Sequence, residues 1–263
     1  MDIRKVRGKR GQLTIFIILA LVIVAALLIF LYFRSKVPGA EITPESFENP
    51  QQYIAECAED AAKQAINTML PQGGLIQPKN YVTYSRTRIE LLCYTNRFYE
   101  SCMNQYPLYI KHLEDEIKNE IEPKIEECFI KLKNEYEKKS LSPYVSSSMK
   151  VDVSVIDKKV NIDISRELSY TDKESTKSFK EFKSSFNSPL HRMARVAMEM
   201  ISQEAQFCSA EHMGYMILYN DIKIEKIITS DQVKIYIITD KLTDKKLNIA
   251  IRGCVIGTGV PSV

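Results

Sequence analysis

Six cysteines and three histidines carry most of the chemical potential of this 263-residue chain. Cys57, Cys93, Cys102, Cys128, Cys208 and Cys254 are even in number and form no Cys-x-x-Cys pair. That pattern speaks against a zinc ribbon and against a thioredoxin-like redox motif, and in favour of disulfides, with free buried thiols as the alternative. His112, His191 and His212 fall on different predicted elements, and no Gly-x-Ser-x-Gly, His-Glu-x-x-His or Gly-x-x-x-x-Gly-Lys-Ser/Thr stretch occurs. The paired acids Asp115-Glu116 and Glu126-Glu127 lie in Lys/Glu-rich stretches, where a solvated helix face explains them. Cys208 and His212, one helical turn apart, could present sulfur and nitrogen to one metal ion, but a closed zinc site needs two more ligands. Met193, Met198 and Met200 stand at helical spacing and read as core packing rather than a soft-metal site. The residues thus predict no catalytic site, no resident metal and no cofactor, although a hydrolase could assemble its groups from dispersed positions.

The elements that must position these residues follow from hydrophobic period. Ile54, Cys57, Ala61, Ala65 and Met69 fall on one face of a helix that Pro71-Gln72-Gly73-Gly74 ends. Tyr106, Ile110, Leu113, Ile117, Ile121, Ile125, Cys128, Leu132 and Tyr136 continue a second, longer helix, which Pro123 must kink or split. Tyr81 to Tyr94 has β character. Met149, Val151, Val153 and Val155 alternate with polar residues, Asp157-Lys158-Lys159 turns the chain, and Val160, Ile162 and Ile164 alternate again as a hairpin. The Lys- and Ser-rich stretch from Lys173 to Ser188 has no clear period. Ser188 caps a helix with Pro189 at its first position and Leu190, Met193, Ala197, Ile201, Ala205 and Cys208 on its apolar face. Ile222 to Ile228, Val233 to Ile238 and Leu247 to Val255 are three further strands. The expected fold class is α+β, with helices packed on one face of a largely antiparallel sheet, a helical half over residues 49–140 and a sheet-rich half over 141–263.

Six cysteines allow fifteen pairings, and helical phase narrows them. Cys57 and Cys128 both lie on apolar helix faces that must pack together. Cys93 and Cys102 bracket a short polar loop. Cys208 is left for Cys254, although strict alternation with Leu247, Ile249 and Ile251 puts Cys254 on the wrong face, so a bulge at Gly253 is required.

The N-terminus has a different character. Between Gln12 and Phe33 there is no charged residue, and roughly 22 residues at 1.5 Å each span about 33 Å, close to the ~30 Å hydrocarbon core of a bilayer. The segment 12–34 is therefore expected to be a retained transmembrane helix rather than a cleaved secretory signal, whose apolar region would be shorter. Arg4, Lys5, Arg7, Lys9 and Arg10 precede the run against Arg34 and Lys36 after it, which keeps residues 1–11 in the cytoplasm and places everything beyond a linker at 35–48 outside. Residues 1–36 hold seven basic residues and one acid, so the remainder carries 29 basic against 32 acidic residues. The basic balance belongs to the anchor, and the outer domain shows no basic stripe with interleaved aromatics of the kind that binds nucleic acid.

Arg10-Gly11 followed by Gln12-Leu13-Thr14-Ile15-Phe16 and the apolar run resembles the class III signals of archaeal type IV pilin-like precursors, which are cut after the glycine. The resemblance covers about the first thirty residues, and it implies processing between Gly11 and Gln12 and assembly into a filament. Phe16 stands where many such precursors carry glutamate, and Pro38-Gly39 breaks the helix that pilins continue into their soluble domain. The Tyr53-Ile54-Ala55-Glu56-Cys57 helix, Gln72-Gly73-Gly74 and the strand Val233 to Asp240 resemble archaeal single-pass surface proteins, which implies no particular activity. The sequence reading is thus a membrane-anchored extracytoplasmic binding or structural module, with a pilin-like filament subunit as the alternative and an extracytoplasmic hydrolase behind both. Its expected partners are the lipid bilayer, a protein or surface ligand, and a second copy of the chain.

Overall fold

A computed structural model of the chain describes residues 18–24, 48–172 and 175–257. Residues 18–24 are helical and exposed; the rest of the expected transmembrane segment, the basic residues before it, the Gly11/Gln12 position and the linker up to residue 47 lie outside the described residues. Among the described residues no helix is long and apolar enough to cross a membrane. The described residues from 48 onward form one compact unit.

That unit begins with helix α1, Pro50–Met69, whose first turn is fixed by Asn49: its side-chain oxygen accepts from the N–H groups of Gln51 and Gln52, both at 3.2 Å, while Pro50 supplies a preset backbone angle. A single 3₁₀ turn, Leu70–Gln72, leads into Gly73 and Gly74, both in the left-handed region. A side chain at Gly74 would meet Leu113 Cδ2 and the Tyr109 hydroxyl at 2.5 Å, so the glycine is demanded by close approach as well as by its backbone angle. Helix α2, Tyr109–Lys138, packs against α1 and buries Tyr109, Leu113, Ile117, Ile121, Ile125, Phe129, Leu132 and Tyr136 in the core. It runs unsplit through Pro123, contrary to one of the two expected outcomes. Pro123 and Asn119, whose carbonyl loses its helical donor, are both on the exposed side, where water can replace the missing bond. Cys128 is at the margin of the buried stripe, and Phe129 occupies the core position.

The expected single sheet is two. The first comprises β1 (Tyr81–Tyr84), β2 (Thr87–Tyr94), β3 (Met103–Asn104), β8 (Ile222–Ile228), β9 (Lys234–Asp240) and β10 (Lys246–Arg252), in the order β1-β2-β10-β9-β8 with β3 also on β2. Its β2–β10 pair is parallel and the rest are antiparallel. The second is antiparallel: β5 (Lys150–Ile156) and β4 (Ser142–Val145) pair end to end along one edge of the long β6 (Lys159–Asp172), and β7 (Ser175–Asn187) pairs along the other. β7 is the Lys- and Ser-rich stretch that showed no period. The first sheet joins strands from residues 81–104 with strands from 222–252, so it crosses the expected boundary at residue 140.

Helix α3, Leu190–Phe207, packs on the inner face of the first sheet, while α1 and α2 pack on the second, and one continuous apolar core results. Pro189 is the cap of α3 rather than its first residue, with Ser188 one position earlier; the Ser188 hydroxyl still accepts from Leu190 N–H at 3.3 Å. A short helix α4, His212–Leu218, that the sequence did not suggest lies beside β8. A bulge in β6 places buried Arg166 against α2, where its guanidinium forks the Glu126 carboxylate, lies 4.8 Å from the Phe129 ring, and donates to the Ser146 carbonyl at 2.9 Å. Glu126 is therefore more than a solvated surface acid.

Candidate functional site

Three disulfides, Cys57–Cys128, Cys93–Cys102 and Cys208–Cys254, use every cysteine. The first ties α1 to α2 across a sequence separation of 71, worth about 4 kcal/mol in the chain-entropy model. The second closes the loop between β2 and β3. The third joins the end of α3 to the segment after β10, by a route that differs from the expected bulge at Gly253. β10 ends at Arg252, Cys254 itself takes a left-handed backbone with φ 54°, and Cys208 does the same at the end of α3 with φ 58°. Gly253 is required instead by contact: a side chain there would meet Cys102 Cβ at 2.9 Å. With Cys208 bonded to Cys254 and His212 opening a separate helix, the two cannot act as a thiolate–imidazole pair on a metal. Among the described residues no group of three or more His, Cys, Asp or Glu is arranged to hold a metal ion.

A polar cleft lies beside Glu90 at the first turns of α2. Glu90 is buried on β2 and satisfied without a cation: Lys79 N–H donates at 2.7 Å, Asn80 N–H at 3.2 Å and the Tyr106 hydroxyl at 2.9 Å. Burial, reinforced by the bond to Glu90, pushes the Tyr106 hydroxyl well above the usual tyrosine range, so it stays a donor. The Tyr106 ring lies 4.5 Å from the His112 ring, and His112, Glu116 and Glu120 follow at four-residue steps along one face of α2. Together with Leu75, Ile76, Gln77, Lys79, Tyr106 and Asn119 they line a cleft of about 340 Å³. Glu116 accepts from Ile76 N–H at 2.9 Å, which pins the loop after α1 to α2. The neighbouring Asp115 remains an exposed partner of Lys111 at 2.9 Å, so only half of that acid pair is a plain surface feature.

A second cleft of about 310 Å³ lies at the seam between the two sheets, lined by Lys158 of the β5–β6 turn, Asn187 at the end of β7 and Ser188 after it, Arg192 of α3, Asp240 at the end of β9, and Leu242 and Thr243 beyond it. Arg192 bridges Asp221 and buried Asp240, and Asp240 accepts in addition from Thr243 N–H at 2.9 Å and the Thr243 hydroxyl at 2.6 Å. Because two carboxylates already neutralise Arg192, this cluster ties α3 to the β8 and β9 ends of the first sheet and leaves little charge for an anionic ligand. His191 lines a smaller adjoining cavity of about 110 Å³ with Asp157, Arg192, Arg195 and Tyr219, and the His212 ring stands 6.3 Å from that of Tyr236. The three histidines are thus in three separate surroundings. The four-residue spacing of His112, Glu116 and Glu120 was the one signal in the sequence that marked the cleft; Glu90, Lys79 and Tyr106 reach it from other segments. Comparisons with protein-family models, with curated proteins and with solved structures find no match for this chain.

Proposed function

We propose that this chain is a single-pass, membrane-anchored module whose domain from residue 49 onward works outside the cytoplasm and binds a protein or surface ligand without catalysis. The observation that carries the reading is the set of three disulfides: all six cysteines are bonded, and two of the three bonds join separate helices or the ends of separate elements. Such bonds form and persist in oxidising compartments. The uncharged run from Gln12 to Phe33 with its excess of basic residues on the N-terminal side supports the anchor and its direction. The cleft of Tyr106, His112 and Glu116 is of a size that suits a small ligand or a partner's side chain.

The filament-subunit reading is favoured by Arg10-Gly11-Gln12 before the apolar run, and the two readings differ in the mature N-terminus. Mass spectrometry of the protein purified from its native membrane is expected to find the peptide that begins at Met1 and crosses Gly11. A mature chain beginning at Gln12 would replace the retained anchor with the pilin-like reading.

A further inference from the structure

The cleft beside Glu90 holds charges of both signs that do not pair with one another. Lys79 stands on the segment after α1 and Glu116 on α2, and both line the same space of about 340 Å³. Among the described residues no ion pair joins them, and the Lys79 ammonium has no hydrogen-bond or ion-pair partner. Glu116 commits one carboxylate oxygen, Oε2, to the Ile76 N–H at 2.9 Å, which leaves Oε1 unengaged among the described residues. The other acids at the cleft are already paired: Glu120 meets Lys124 at 2.8 Å, and Glu90 accepts from two backbone N–H groups and the Tyr106 hydroxyl. His112, one turn before Glu116, adds a ring nitrogen, Nε2, that is buried and has no hydrogen-bond partner among the described residues. A buried polar atom left unpaired is destabilising, so one on a residue that lines a cleft marks a bond for a ligand to complete.

We infer that this cleft takes a free α-amino acid, with its ammonium on the Glu116 carboxylate and its carboxylate on the Lys79 ammonium. The inference rests on the binding-module reading and names the class of that module's ligand. Charge decides the class. A purely cationic ligand would be repelled by Lys79, a purely anionic one by Glu116, and a neutral one would cover both charges and leave each without a counterpart. A zwitterion meets both. The end of a partner chain carries only one of the two charges and so does not supply the pair. The rest of the lining agrees: buried Leu75, half-buried Ile76 and the Tyr106 ring offer apolar contact to a side chain. The volume lies at the lower end of the range for small-molecule clefts, roughly 300–1,000 Å³, which suits a ligand smaller than a drug-sized one.

The full chain, purified in detergent, is tested by saturation-transfer NMR against an equimolar mixture of the common L-amino acids. The expected result is transfer to one or a few of them, and affinity lower by about ten-fold or more for their α-amides and for their N-acetyl derivatives, each of which lacks one charge. Lys79→Gln and Glu116→Gln are each expected to weaken binding of the selected amino acid by a similar factor. Glutamine at 116 keeps an oxygen for the Ile76 N–H and Lys79 is exposed, so both variants retain the fold. Asp115→Asn, on the exposed neighbour that pairs with Lys111, is expected to leave binding unchanged. No transfer to any amino acid, equal binding of the amides or the N-acetyl derivatives, or binding that survives either the Lys79 or the Glu116 substitution overturns the inference. Binding of the amides alone overturns it too, and is the outcome expected if the cleft holds the N-terminus of a partner chain. None of these results touches the anchored-module reading, which the N-terminal peptide tests separately, because the purified chain binds without regard to its side of the membrane.

Discussion

Tyrosines report how the interior is built at the level of single residues. Tyr109, the first residue of α2, is fully buried, with its hydroxyl donating to the Gly73 carbonyl at 3.0 Å. Burial holds the hydroxyls of Tyr109 and Tyr136 above the ordinary value of 10.0, and burial with the Glu204 bond does the same for Tyr236. Tyr215, on the inner side of α4, is pushed up to about 12, first by burial and then by Glu199. A folded-state value raised above the unfolded one means that the stability these groups add is complete below pH 10 and is lost as pH rises from there through the folded values. The expected result is a urea midpoint that falls between about pH 9 and pH 11, with phenolate absorbance appearing together with unfolding. Ionisation of all fourteen tyrosines near their ordinary value with the fold intact would contradict this account of the core.

At the scale of elements, Pro123 is the clearest test. It occupies the middle of a 30-residue helix, on the exposed side. Proline in a helix interior costs about 3 kcal/mol relative to alanine. Pro123→Ala is expected to stabilise the domain by about 1–3 kcal/mol in urea titration, because the substitution restores a donor to the Asn119 carbonyl and touches no core contact. A loss of stability would instead show that a bend at Pro123 is needed to seat Ile117 and Ile125 together. The elements the sequence made legible are those with an unbroken period. The Val151-Val153-Val155 and Val160-Ile162-Ile164 hairpin has its turn at Asp157-Lys158, with Lys158 left-handed at φ 61°. β7 was illegible because Phe179 and Phe182 are three residues apart, out of step with a strand. The bulge between Ser165 and Leu168 of β6 restores the phase: Phe182 pairs with Ile164 and Phe179 with Leu168. A bulge in a partner strand leaves no mark in the sequence of the strand that answers it. Helix α4 escaped for another reason, since an apolar run of seven residues beside a strand carries neither period.

For the whole molecule, what sequence could not supply was long-range pairing. β2 and β10 join in parallel across some 160 residues, and no local pattern in either strand names the other. The two clefts follow from that closure, because Glu90 and Tyr106 converge on α2 only once β2 is fixed in the sheet, and Arg192 meets Asp240 only once α3 crosses β9. The cysteines were legible by contrast, since helical phase placed Cys57 and Cys128 at facing margins and the remaining four had few ways to close.

The central claim is that this disulfide-bonded domain stands outside the cell, and its many solvent-facing lysines allow that to be read directly. Intact cells are treated with a membrane-impermeant amine-acylating reagent, and modified peptides of the chain are identified by mass spectrometry. The account predicts acylation at exposed Lys133, Lys138 and Lys183 before the cells are opened, with Lys5 and Lys9 modified only after lysis. Acylation of Lys133, Lys138 and Lys183 only after lysis would place the domain on the inner side and contradict the account.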